Sequence, residues 1–219
     1  MGVPSRDEAM GVPSRDEAMG VPSRDEAWRL FCEWTKSESL RRHALAVEAG
    51  MRAYALRMGG DEELWALTGL LHDLDYERFP DLETGHPRHA LRELEARGCP
   101  HEVIDAVAGH ADYLGVPRET DMARALYAVD EMSGFVSACA MVRPTGIAGM
   151  RPKSVRKKMK QPSFAAAVDR DQLIRAAEEL GVDLDEHIGV VIDALAANAD
   201  RLGLETSAAT SKDPGRNQS

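Results

Sequence analysis

Imidazoles and carboxylates that converge on one point can hold a cation, and this sequence carries such groups at six spaced positions. His43 is followed by the adjacent pair His72-Asp73, then by His86, His110 and Asp130, at intervals of 29, 1, 13, 24 and 20 residues. An adjacent His and Asp at a helix end can each reach a metal, and Asp73 can use both of its oxygens as a bridge. A lone histidine on an apolar face is more often a satisfied core residue than a ligand. The context here argues otherwise: His72-Asp73 follows LTGLL and Asp130 follows ALYAV. Burying these polar groups without a partner would cost several kcal/mol.

The elements that must position these residues read as helices. Residues 38–58 place Leu40, Ala44, Val47, Met51, Tyr54 and Ala55 on one stripe, and Gly59-Gly60 ends it. Asp61 then caps an apolar helix to about Asp73, and 76–85 reads as a loop. Helical patterns resume at 87–97, 101–112, 119–141, 163–180 and 184–202, and no stretch alternates long enough to predict a strand. The last of these helices is read as core rather than a dimer face. Sparse aromatics, 5% of residues, and abundant Ala, Leu, Glu and Arg agree with an all-α fold.

The 219 residues suit one domain with ragged ends, assigned to 24–204. The segment MGVPSRDEA repeats perfectly at 1–9, 10–18 and 19–27, too short a period for a solenoid, and resembles a duplicated gene start. Its third copy leads into structure, with Ser23 and Glu26 spaced as a capping box before Trp28, Leu30, Phe31 and Trp34. Residues 1–23 and the polar tail 205–219 are expected to be disordered. No apolar run approaches a membrane span and no export signal opens the chain, so a cytoplasmic protein is expected. Cys32, Cys99 and Cys139, odd in number and widely spaced, read as small buried hydrophobes of a reducing compartment.

Taken together, His43 in RRHALAVE, His72-Asp73 in GLLHDLDYE and Asp130 in ALYAVDEMSG resemble the signature of the HD-domain superfamily of metal-dependent phosphohydrolases. The resemblance implies a single helical bundle. His43, His72, Asp73 and Asp130 match its mononuclear ligand set. His86, before a proline, and His110 resemble the extra ligands of the dinuclear branch, so two metals per chain are expected, with Asp73 between them. His89, three residues after His86, is the alternative ligand or a substrate contact, whereas His101 and His187 are read as surface. The doublet continues Leu74-Asp75-Tyr76-Glu77, without the Ile-Gly-Lys of better-known dinuclear members, which weakens a cyclic-dinucleotide phosphodiesterase reading. Asp75 is expected either to orient a ligand histidine and assist proton transfer, or to make a loop contact.

The implied reaction is hydrolysis of a small phosphomonoester or phosphodiester, such as a nucleotide or cyclic nucleotide, by a metal-activated hydroxide. Mixed imidazole and carboxylate ligation suits Mn²⁺, Fe²⁺, Co²⁺ or Ni²⁺ better than Mg²⁺. Lys+Arg 27 against Asp+Glu 37 gives a net charge of −10, which argues against bulk binding of nucleic acid. The stretch 151–160 departs from this background, with six basic residues and no acidic one. Flanked by Pro and Gly, it reads as a loop that folds over the site, with Lys157, Lys158 and, more weakly, Arg143 as contacts for the substrate's phosphate. Two alternatives use the same residues: an HD-domain diiron oxygenase cleaving a C–P or C–C bond, and a non-catalytic HD module binding a nucleotide or RNA.

Overall fold

The computed structural model describes residues 21–205, so the expectations for residues 1–20 and 206–219 lie outside the described residues. Among the described residues there are ten α-helices and no strand: α1 (Arg24–Trp34), α2 (Glu38–Met58), α3 (Glu62–Leu71), α4 (Arg88–Ala96), α5 (His101–His110), α6 (Asp121–Met141), α7 (Pro152–Met159), α8 (Arg170–Leu180), α9 (Leu184–Ala196) and α10 (Ala199–Leu202). Most begin where the sequence offers a side-chain cap. Ser23 and Glu26 form the reciprocal capping box of α1, and Asp61 accepts from the backbone N–H groups of Glu63 and Leu64 at the start of α3. Gly59, in the left-handed region at φ 73°, ends α2.

Two helices of 21 residues, α2 and α6, organise the bundle. The front half of α6 buries Met122, Ala125, Leu126 and Val129 in one apolar cluster, with Phe31, Val47, Tyr54, Leu70 and Leu71. Its back half buries Met132, Phe135, Val136 and Cys139 in a second cluster, with Val155, Leu173, Ile188 and Leu195. Asp130 lies at the junction. The backbones of α2 and α3 approach closely at Gly69, where a Cβ would stand 2.9 Å from the Val47 carbonyl oxygen.

Several expectations need correction. Residues 152–159 form a helix rather than a loop, because Pro152 at the first helical position is preorganised for one and Val155 is buried against the second cluster. The segment expected to be helical over 163–180 becomes α8 only at Arg170. Ala165 adopts φ 42°, and the Arg170 guanidinium donates to the carbonyls of Phe164, Ala165 and Val168, which holds the preceding turns in place. The last expected helix divides at Ala197–Asn198, where the Asn198 amide donates to the Ala194 carbonyl. All three cysteines are free, and Cys99 and Cys139 are buried, but Cys32 is only partly so. Among the described residues no helix is long and apolar enough to cross a membrane.

His187 is the clearest departure from the sequence reading: it is fully buried, not on the surface. Its Nε2–H donates to the Ala128 carbonyl at 3.0 Å, and its Nδ1 accepts from the Tyr54 hydroxyl at 2.6 Å. A carbonyl can only accept, so this pairing fixes the neutral tautomer. Burial pushes the His187 imidazole down to about 4, with the Ala128 hydrogen bond opposing. His101, at the start of α5, is exposed as expected.

Candidate metal centre

The clustered side chains come from the ends or faces of several elements. His43 projects from the second turn of α2. His72 and Asp73 follow the last turn of α3, where His72 keeps helical dihedrals and the chain then turns away. His86 lies in the loop before α4, His110 is the last residue of α5, and Asp130 sits midway along α6. Hydrogen bonding then aims the rings. His72 donates Nδ1–H to the Gly69 carbonyl at 2.8 Å and His110 donates Nδ1–H to the Val107 carbonyl, each one turn back along its own chain. His86 donates Nδ1–H to Asp75 Oδ1 at 2.8 Å. With the Nδ1 protons committed, all three rings present an Nε2 lone pair to the same region.

Asp73 lies at the centre of this arrangement. Its Oδ2 is 3.4 Å from His72 Nε2 and 3.9 Å from His43 Nε2, while its Oδ1 is 3.4 Å from His86 Nε2 and 3.6 Å from His110 Nε2. Asp130 Oδ1 joins the first group, 2.9 Å from His43 Nε2 and 3.3 Å from His72 Nε2. Two sets of donor atoms thus form, His43, His72 and Asp73 in one and Asp73, His86 and His110 in the other.

The residues fit a cation on two counts. His72 Nε2 is buried with no hydrogen-bond partner, a cost that a ligated cation would remove. His86 Nε2 and His110 Nε2 face each other at 3.2 Å, so with both Nδ1 protons committed a proton or a metal ion must lie between them. Electrostatics agree. Burial opposes charge on His72, but Asp73 and Asp130 outweigh it and hold its pKa well above the ordinary value. Burial likewise opposes the Asp73 and Asp130 carboxylates, yet the histidines hold both well below the usual range.

The donors open onto a cavity of about 440 Å³. Tyr76, Leu82 and Tyr113 form an apolar and aromatic side of its mouth, and Glu131 and Gln172 supply polar groups. Among the described residues no Lys or Arg lines it. Asp112, also on the wall, is already neutralised by Arg118 at 2.9 Å and accepts from the Tyr127 hydroxyl. Burial first, and the neighbouring Asp130 carboxylate second, push Glu131 up to about 7. Sequence reasoning passed over Glu131, Gln172, Tyr76 and Tyr113. The one available signal was the position of Glu131 beside Asp130 on a helix whose two halves are both covered.

The expected substrate contacts lie elsewhere. Lys157, Lys158 and Arg143 line a different hollow, formed by α7 and the end of α6, and none lines the metal cavity. The His89 ring stacks on Phe79, with centroids 3.8 Å apart, and does not reach the donor cluster; only its backbone N–H is engaged, donating to Asp75. Asp75 itself is fully buried and stands behind His86 rather than on the cavity wall. It orients the ring and, with Oδ2, accepts the backbone N–H groups of His89 and Ala90, capping an α4 that has no side-chain cap of its own.

Residues 40–133 match the family model of the HD domain, a span that contains all six clustered ligand candidates. No curated protein and no solved structure matches the chain.

Proposed function

We propose that this chain, whose residues 40–133 match the HD domain, is a metal-dependent phosphohydrolase acting on a small phosphomonoester or phosphodiester with two transition-metal ions per chain. The position of Asp73 supports this reading most directly, since each of its oxygens faces a different pair of imidazoles. His43, His72, Asp73 and Asp130 would hold one ion, and Asp73, His86 and His110 the other. When bound, such ions supply Lewis-acid polarisation of a phosphoryl oxygen and of water.

The chain's own residues do the rest. Asp75 keeps the His86 tautomer that leaves Nε2 free, and the carbonyls of Gly69 and Val107 do the same for His72 and His110. Glu131, on the cavity wall, is placed to pass a proton to a leaving oxygen. Tyr76, Leu82 and Tyr113 give the apolar part of a leaving alcohol, such as the base of a nucleoside, a surface to lie on. Among the described residues no Lys or Arg lines the cavity, so the ions would carry the task of offsetting the substrate's charge. That favours a monoester or diester over a polyphosphate. The free thiols suit a reducing cytosol.

The deciding experiment measures metal content on protein purified without chelator, and hydrolysis of phosphate esters and cyclic nucleotides on the same sample. Close to two Mn, Fe, Co or Ni per chain with turnover is expected, and His110→Ala should lose one ion of the two. An unchanged metal count in that variant would overturn the two-ion assignment. Two irons with no hydrolysis, but oxygen uptake, would replace the hydrolase by an oxygenase. No metal and no activity after addition of any would end the enzymatic reading.

A further inference from the structure

No residue of the basic run at 151–160 lines the metal cavity, and part of the run lines a hollow of its own. Ser154, Lys157, Lys158 and Gln161 follow one another at helical spacing along α7 and the turn after it, so their side chains share a face. They meet Cys139 and Arg143 at the end of α6, and Met150, around a space of about 260 Å³. Three of these seven lining residues are cationic and none is acidic. Of the six bases in the run, Arg156 alone has an ion-pair partner among the described residues, Asp185 at 3.7 Å, and Arg156 does not line the hollow.

The charges are also held in place. Arg143 donates to the carbonyls of Gly146 and Ala148 and to the Thr145 hydroxyl, which pins the guanidinium at the rim. Lys158 Nζ lies 3.4 Å from Gln161 Oε1 and 4.5 Å over the Phe164 ring. Like charges converging in this way repel one another, and an anion between them would reverse the sign of that contribution. The volume is below the roughly 300–1,000 Å³ of pockets for drug-sized ligands, which suits a single compact oxyanion. Lysine ammoniums with a hydroxyl and an amide nearby are a donor set for phosphate oxygens.

We propose that this hollow is a binding site for a phosphate group, separate from the metal cavity. Cys139 stands nine residues beyond Asp130 on α6, a helical rise of about 13 Å, so an ion held by the donor cluster cannot also be held by Lys157 and Lys158. The site needs no metal, and its existence does not depend on the hydrolase reading.

The test uses the full chain, stripped of metal with a chelator, and follows binding of inorganic phosphate and, separately, glycerol phosphate by calorimetry and phosphorus NMR. Saturable binding at one site is expected. Lys157→Gln with Lys158→Gln should weaken it by at least about tenfold. Lys153→Gln with Lys160→Gln makes the same change in net charge outside the hollow and should leave affinity within about twofold. Preference for inorganic phosphate would identify a free ion as the ligand, and equal or tighter binding of the ester would identify the phosphate of a larger molecule. Absence of binding by either probe would overturn the proposal. So would equal loss in the two double variants, which would reduce the effect to a diffuse field of the basic helix.

Discussion

Asp75 holds His86 by its Nδ1–H at 2.8 Å, and the same carboxylate accepts two backbone N–H groups at the start of α4. One buried side chain therefore fixes both a ring tautomer and the approach of a helix. Asp75→Asn offers a single acceptor oxygen to three donors and turns an NH₂ toward at least one of them. Metal-free protein should lose about 2–3 kcal/mol of stability in urea. Mn²⁺ affinity by titration should fall roughly 10–100-fold. Wild-type Mn²⁺ binding in that variant would reduce Asp75 to a helix cap.

Glu131 stands on the cavity wall outside both donor groups. Glu131→Gln keeps its shape and removes its proton chemistry. Turnover of a competent ester should drop roughly 100-fold, with metal content per chain unchanged. Loss of metal together with activity would place Glu131 among the ligands instead.

His187 ties acid stability to a group remote from the cavity mouth. Its folded-state pKa of about 4 lies below the ordinary histidine value, so the unfolded chain takes up the extra proton first. The contribution is complete above about pH 6.5 and is lost as pH falls toward 4. From pH 7 to 5 the wild type should lose about 2 kcal/mol more than His187→Gln. Parallel urea midpoints for the two proteins across that window would remove His187 from the account.

Gly69 lets α3 lie against the backbone of α2. A methyl group there would meet Met51 Cγ at 2.8 Å as well as the Val47 oxygen. Gly69→Ala should cost about 1–3 kcal/mol by thermal or chemical unfolding. It should also weaken cation binding, because His72 and His43 sit on the two helices being forced apart. Full cation affinity in a destabilised variant would show that the donors adjust independently of the helix spacing.

The helices that carry the donors were legible from their apolar patterns, at 38–58, 101–112 and 119–141, and from Asp61, which caps the apolar segment that is helical as α3. His72, Asp73 and Asp130 stood out as polar residues ending or interrupting apolar runs, and His43, His86 and His110 by their resemblance to the family's ligand pattern; the structure brings the six together. His187 was misread because its neighbours Asp185 and Glu186 are charged. Helical spacing from Leu184 through Ile188 and Val191 nevertheless puts it on the inner face. Helix α7 was hidden by the prolines and glycines around it, although Pro152 occupies the one helical position that suits proline. That α7 does not line the metal cavity follows from how it packs against α9 and the end of α6, and no local pattern encodes that.

Helix α6 gives its front half to one apolar cluster and its back half to the other. At 21 residues it is about 31 Å of continuous hydrogen-bonded rod, and neither cluster closes without it. Melting either half strips the partner of one wall, so the two halves have no seam along which to come apart. Thermal denaturation should therefore follow a single all-or-none transition, with calorimetric and van't Hoff enthalpies equal.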